Sequence, residues 1–215
     1  MQEIEEMSVG GSVRLKGPLK FGKLSVSGSL KLEGDARGDE LHVSGSGSVS
    51  GSLKISELRV SGSMSIKGDL EGGDVSVSGS MAVGGELKGD EVEVSGSLKA
   101  ERVIADEVTV SGSLRAEEVV ANEVTIEKKS KVSAVVVARE VRVGKEAEVK
   151  KVIGEEVFID KRADVNVVEG VRVRVENGAD ITEVRYVEEA DIDERAEVGK
   201  LVKIEKLSRS VPSSE

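Results

Sequence analysis

Val26-Ser27-Gly28-Ser29 is a phrase that returns, starting again at Val43, Val60, Val77, Val94 and Val110, so that successive starts differ by 17, 17, 17, 17 and 16 in sequence number. A period this short cannot hold a helix-turn-helix or a propeller blade, which need roughly 33 to 45 residues. Each unit is therefore expected to be one turn of a coil of short strands, a parallel β-helix.

The rest of each turn supports that reading. From Val77 the apolar positions are Met81, Val83, Leu87, Val92 and Val94, and from Val60 they are Met64, Ile66, Leu70, Val75 and Val77. Within each segment they lie two apart, the spacing that puts both side chains on one side of a strand. Each turn thus supplies three apolar pairs, one for each wall of a three-sided bore. The register outlives the phrase, since anchors continue at Ile126, Val143, Ile159 and Val175, and Val9 lies one such interval before Val26. It blurs around Tyr186 and Val187 and resumes at Ile192 with Ala196, Val198, Val202, Ile204 and Leu207.

The expected fold is all-β: a single-stranded parallel β-helix of about 12 turns of 16–17 residues. At a strand spacing of about 4.8 Å it would be on the order of 55 to 60 Å long. Residues 1–6 read as an N-terminal tail or partial cap, 7–207 as the β-helix and 208–215 as a disordered C-terminal tail. Within the β-helix, 7–125 turns its corners with Ser-Gly-Ser and 126–207 with charged residues such as Glu127-Lys128-Lys129. Glycine at the corner is expected to supply positive φ, with the serines bonding exposed backbone groups. The longer turns carry an extra residue at the second corner, often glycine, as at Gly17, Gly34, Gly51, Gly68 and Gly85.

Composition removes several functions. There is no cysteine, aromatics make up 1% of residues, and the net charge is −10. Thiolate metal sites and a cysteine nucleophile are excluded, and nucleic acid and anionic membranes are disfavoured as partners. No apolar run approaches the ~20 residues of a membrane span, so membrane attachment is not expected and the cytoplasm is the expected address.

Candidate chemistry is sparse. The single histidine, His42, sits between inward Leu41 and Val43 and points to solvent, with Ser25 and Arg59 as neighbours one turn away; a Ser-His pair without a carboxylate in its ladder is a poor nucleophilic site. Three residues before each anchor runs an acidic column including Glu40, Glu57, Asp74, Glu91, Glu107, Glu123, Glu140 and Glu156. Stacked carboxylates ~4.8 Å apart repel by roughly 0.9 kcal/mol per pair in bulk water. Lysines, arginines or bound cations should offset that. The rung spacing is near that of a retaining glycosidase pair, about 5 Å, but every rung offers it equally. Neither enzyme activity nor a cofactor is expected.

Among β-helices, the left-handed hexapeptide acyltransferases close each turn with three hexads, and a sustained 17/16 period departs from that arithmetic. The recurring Val94-Ser95-Gly96-Ser97-Leu98-Lys99-Ala100-Glu101 unit, and turns such as Gly89-Asp90-Glu91-Val92, resemble the bactofilins, polymer-forming cytoskeletal proteins. The resemblance covers residues from about 7 to 126 and extends to about 207 by register. It implies a right-handed, three-sided β-helix that polymerises end to end without nucleotide and scaffolds client proteins. An open β-helix also leaves unpaired backbone groups and exposed core on its terminal turns, which stacking would bury. The residues expected at such a homopolymer interface are Ile4, Met7, Val9, Val13 and Phe21 on one face and Val198, Val202, Ile204 and Leu207 on the other. The alternative is a β-helical binding module for a protein or polysaccharide, with Phe158 and Tyr186 as its exposed aromatics.

Overall fold

Alternation of valine with polar residues makes each short segment a strand with one dry face, and one such strand cannot bury that face by itself. Parallel stacking of successive turns is the solution seen in the computed structural model, which describes residues 2–212. Met1 and Ser213–Glu215, parts of the two expected tails, lie outside the described residues. There are 21 strands and no helix among the described residues; accordingly none has a helix long and apolar enough to cross a membrane. The chain divides into two units, the first ending at Ile104 and the second beginning at Ala105.

In the first unit, long and short strands alternate. β1 (Gln2–Val9), β3 (Leu19–Val26), β5 (Ala36–Val43), β7 (Leu53–Val60) and β9 (Leu70–Val77) pair in succession, all parallel. β2 (Ser12–Lys16), β4 (Ser29–Glu33), β6 (Ser46–Val49), β8 (Ser63–Ile66) and β10 (Ser80–Val83) form the second ladder. The last turns are β11 (Glu86–Lys88), β12 (Glu91–Val94), β13 (Ser97–Lys99) and β14 (Arg102–Ile104). The anchors are register partners as expected: Val9 with Val26, Val26 with Val43, Val43 with Val60 and Val60 with Val77. Leu58, Val60, Met64, Ile66 and Leu70 of one turn are all buried. Each such side chain contributes about 1.5–3 kcal/mol by leaving water.

The second unit runs through β15 (Glu107–Val110), β16 (Ser113–Ile126), β17 (Lys131–Val143), β18 (Glu148–Ile159), β19 (Asp164–Val175), β20 (Asp180–Ile192) and β21 (Glu197–Lys203). Its anchors also pair: Val110 with Ile126, Ile126 with Val143, Val143 with Ile159, Ile159 with Val175 and Val175 with Ile192. Both units are thus β-solenoids with the expected turn length.

The corners differ from expectation. Gly28, Gly45, Gly62, Gly79 and Gly96 have no positive φ; only Gly34 and Gly178 among the glycines do. What requires glycine is proximity, since a Cβ at any of the five would lie 2.0 Å from the carbonyl oxygen of the glycine one turn earlier. The chain satisfies its backbone through the bend, the N–H groups of Ser27 and Gly28 both donating to the Val9 carbonyl at 2.9 and 3.1 Å. Side-chain capping occurs at the second corner instead. There Ser52 N–H donates to Asp35 Oδ1, Asp69 N–H to Ser52 Oγ and Glu86 N–H to Asp69 Oδ1, at 2.9, 3.1 and 2.9 Å.

Two boundaries also move. Of the two readings for the N-terminus, tail or partial cap, residues 2–6 take the form of a strand, with β1 in register with β3 from Gln2 onward. Ser208 and Arg209, expected in the disordered tail, make specific contacts with Glu169 and Glu118.

Candidate functional site

Where a solenoid's ladder stops, inward side chains lose the layer that would cover them. On the first unit's terminal turn, Ile4, Met7 and Val13 are half-buried, whereas their partners Phe21, Leu24 and Leu30 are buried. Val9 is also buried, at the edge of this face. Phe21 does not belong to the face: it lies one turn in, beneath Ile4, and its ring fills the space a Cβ at Gly38 would need, 2.2 Å away.

On the second unit's terminal turn, β21 continues two inward columns. Ile181 and Val184 are fully buried, and the residues stacked on them are Val198, half-buried, and Leu201, 51% exposed. Leu201 is the most exposed large apolar side chain among the described residues and was not among the expected interface residues. Its signal was the three-residue step from Ile181 to Val184, repeated one turn on as Val198 to Leu201. For the same reason Val202 is not inward: it pairs with Arg185 on an outward column. Ile204 closes the ladder by donating its N–H to the Tyr186 carbonyl at 2.8 Å, and Leu207 lies beyond it.

The acidic column is offset by cations, one of the two ways expected. Lys23 Nζ lies 2.7 Å from Glu40, and Arg59 pairs with Glu57. The hydrogen bond from Lys23, then its charge, holds the Glu40 carboxyl below the usual range and raises the Lys23 ammonium. In the second unit Arg142 places two nitrogens on Glu140, at 2.9 and 2.6 Å, and Arg172 bridges Glu156 and Glu188. Among the described residues no group of three or more His, Asp or Glu is placed to hold a metal ion. His42 is exposed, its Nε2 2.9 Å from Ser44 Oγ, and it sits in register between Ser25 and Arg59.

One lateral concavity is large. A groove of about 630 Å³ in the second unit is lined by Phe158 together with Arg142, Arg174, Glu140, Glu156 and Asp160. Register places Phe158 between Arg142 and Arg174, one turn to either side. An aromatic ring flanked by two arginines, each already paired with a carboxylate, presents both a stacking surface and directed hydrogen-bond groups.

The family model for GlmU-like C-terminal hexapeptide matches residues 89–180. That stretch is less than half of the chain, and His42 lies outside it. The match and the parallel ladders agree on a β-helix repeat protein, and the likeness spans turns that fall short of three full hexads. No curated protein and no solved structure matches the chain.

Proposed function

We propose that this chain is a structural protein that self-assembles through the terminal faces of its β-solenoid into nucleotide-independent filaments and, in the cytoplasm, scaffolds other proteins. The observation that carries this reading is the contrast along single inward columns. Ile181 and Val184 are fully buried, but Val198 and Leu201, stacked directly on them, are not. Among the described residues β21 pairs only with β20, leaving its outer edge able to receive another strand. A second copy presenting Ile4, Met7 and Val13 would bury both sets and continue the backbone ladder; contact between like faces would instead be two-fold symmetric. The resemblance to bactofilins supports the same reading. The chain is proposed to act without catalysis or cofactor, and its protein clients are part of the proposal.

Leu201→Asp tests it. Negative-stain microscopy of the wild-type chain should show filaments, and the variant, whose charge would have to be buried at the contact, should remain as short particles. Uniform short particles from the wild type across salt and pH would overturn the proposal. The groove around Phe158 favours a second reading, a lateral binding site for a polysaccharide or protein, which predicts ligand binding lost in Phe158→Ala and unaffected by Leu201→Asp.

A further inference from the structure

In the second unit, one outward column breaks the pattern of charged, exposed side chains. Register runs it through Val120, Val137, Ile153, Glu169, Arg185 and Val202. Strand alternation turns these residues away from the bore, since Val136, Ala138, Val152 and Gly154 beside them are the inward ones. Yet Val137 is 2% exposed, and Ile153 and Glu169 are 0% exposed.

The segment that follows β21 meets this column at Glu169. Ser208 donates both its backbone N–H and its hydroxyl to Glu169, the second at 2.9 Å to Oε2. Arg209 pairs with Glu118, whose column passes through Val135, Lys151 and Val167, three rungs away from the level of Glu169. These two anchors are consecutive residues, so the Arg209 side chain reaches along the face from Glu169 toward Glu118, and Leu207, Val211 and Pro212 on either side of the pair are half-buried. A carboxylate removed from water is costly unless its oxygens are hydrogen-bonded. Here one serine of the segment serves both oxygens, with Lys151 Nζ at 3.8 Å and Arg185 at 4.0 Å adding positive charge. Glu169 is therefore recognition chemistry for a particular peptide: a serine that donates from both its N–H and its hydroxyl, an arginine next to it, then Ser-Val-Pro.

We propose that this outer face is a peptide-binding surface, occupied by the chain's own Leu207–Pro212, and that it accepts the same segment from a second copy. The contacts would be identical in either case, so exchange costs only the difference between intramolecular and intermolecular connection. Attachment is light: among the described residues, the last backbone ladder bond before the segment is that of Ile204 to Tyr186. A segment held by a few side-chain contacts opens more readily than the ladder beneath it. This goes beyond end-to-end assembly and does not depend on it.

The test uses full-length chains and a labelled peptide of residues 204–212. Ser208→Asp/Arg209→Glu sets like charges against Glu169 and Glu118, so it frees the surface while leaving it intact. This chain should bind the peptide about tenfold more tightly than wild type, whose own segment competes, and adding Glu169→Ala should reverse the gain. Equal binding by all three, with unchanged circular dichroism, would overturn the proposal. Exchange between copies is read by mixing Glu169→Ala, which has a sound segment but a defective surface, with Ser208→Asp/Arg209→Glu, which has the reverse. The mixture should show a complex absent from either alone, and profiles that merely add would overturn exchange. End-to-end stacking is open to both variants and cancels in that comparison, so its failure is separately visible.

Discussion

The first unit turns its corners by bringing backbones together, and the second by local turns. At Gly28, Gly45, Gly62, Gly79 and Gly96 each backbone lies so close to the turn before it that no Cβ fits, and the ladder runs almost unbroken through the bend. In the second unit the corners from Glu127 onward are β-turns closed within themselves, with Ala147 N–H donating to the Gly144 carbonyl at 3.2 Å and Ala163 N–H to that of Asp160 at 3.3 Å. Their third residue takes positive φ, at Lys129, Glu146 and Arg162, 61, 59 and 58° respectively, and at Gly178, 70°. A corner built on proximity constrains neighbouring turns to the same residue; a corner built on local hydrogen bonds leaves its side chains free to vary. That is why Ser-Gly-Ser repeats through the corner after Val110 and charged residues of several kinds replace it from Glu127 onward.

The cores follow the same division. Leu19, Leu24, Leu53, Leu58 and Leu70 fill the first unit, while Ala147, Ala163 and Ala179 follow the β-turns of the second and Gly154 and Gly170 occupy another inward column. Many second-unit turns are one residue shorter than those of the first, as in the pairing of Val143 with Ile159 and Val149 with Val165. A shorter turn encloses less space, and close packing then requires smaller side chains.

Substitution at the two kinds of corner should separate them most. Gly62→Ala places a methyl 2.0 Å from the Gly45 carbonyl oxygen, so backbone must move; a loss of about 3 kcal/mol or more is expected in urea unfolding. Gly178→Ala meets only the Arg162 side chain at 3.4 Å and is strained by its φ alone, with an expected loss of about 1–2 kcal/mol. Equal losses would break the distinction.

A smaller effect of opposite sign is expected at Arg162. Its φ of 58° is unfavourable for a side chain, and its ion pair with Glu146, at 3.8 Å, is solvent-exposed. Arg162→Gly should relieve that strain and raise stability by up to about 1 kcal/mol after the entropy cost of glycine. A decrease in the urea midpoint would show that the ion pair outweighs the turn.

The smallest expected effect is electrostatic. Glu3, Glu40 and Glu71 in the first unit have carboxyls lowered chiefly by hydrogen bonds from Lys20, Lys23 and Lys54, and Glu183 in the second by Arg185 and Lys200. Because each binds its proton less readily when folded than unfolded, their contribution is present above the ordinary value of 4.5 and is lost as pH falls through the lowered folded one. Thermal midpoints should fall modestly on acidification below about pH 4.5, less so in high salt. A midpoint that rises on acidification would contradict this assignment.

Much of this architecture was legible along the chain. Anchors read as one turn apart became register partners in both units, including those beyond the last Val-Ser-Gly-Ser. Misreadings arose where the cause was another turn rather than the local sequence. Phe21 looked terminal by position but lies under Ile4, and Val202 looked inward by alternation from Val198, whereas the three-residue step at that corner makes Leu201 the inward residue. The corner glycines suggested positive φ, a local property, whereas a carbonyl on the preceding turn sets the requirement.

Sequence alone determined the period, the inward columns and the solenoid, because a strand's alternation and a turn's length are properties of contiguous residues. Tertiary structure decided which residues end a column uncovered and what lies over Glu169. Those depend on contacts such as Ser208 with Glu169, 39 residues apart, and Arg209 with Glu118, 91 apart, and no repeat announces them.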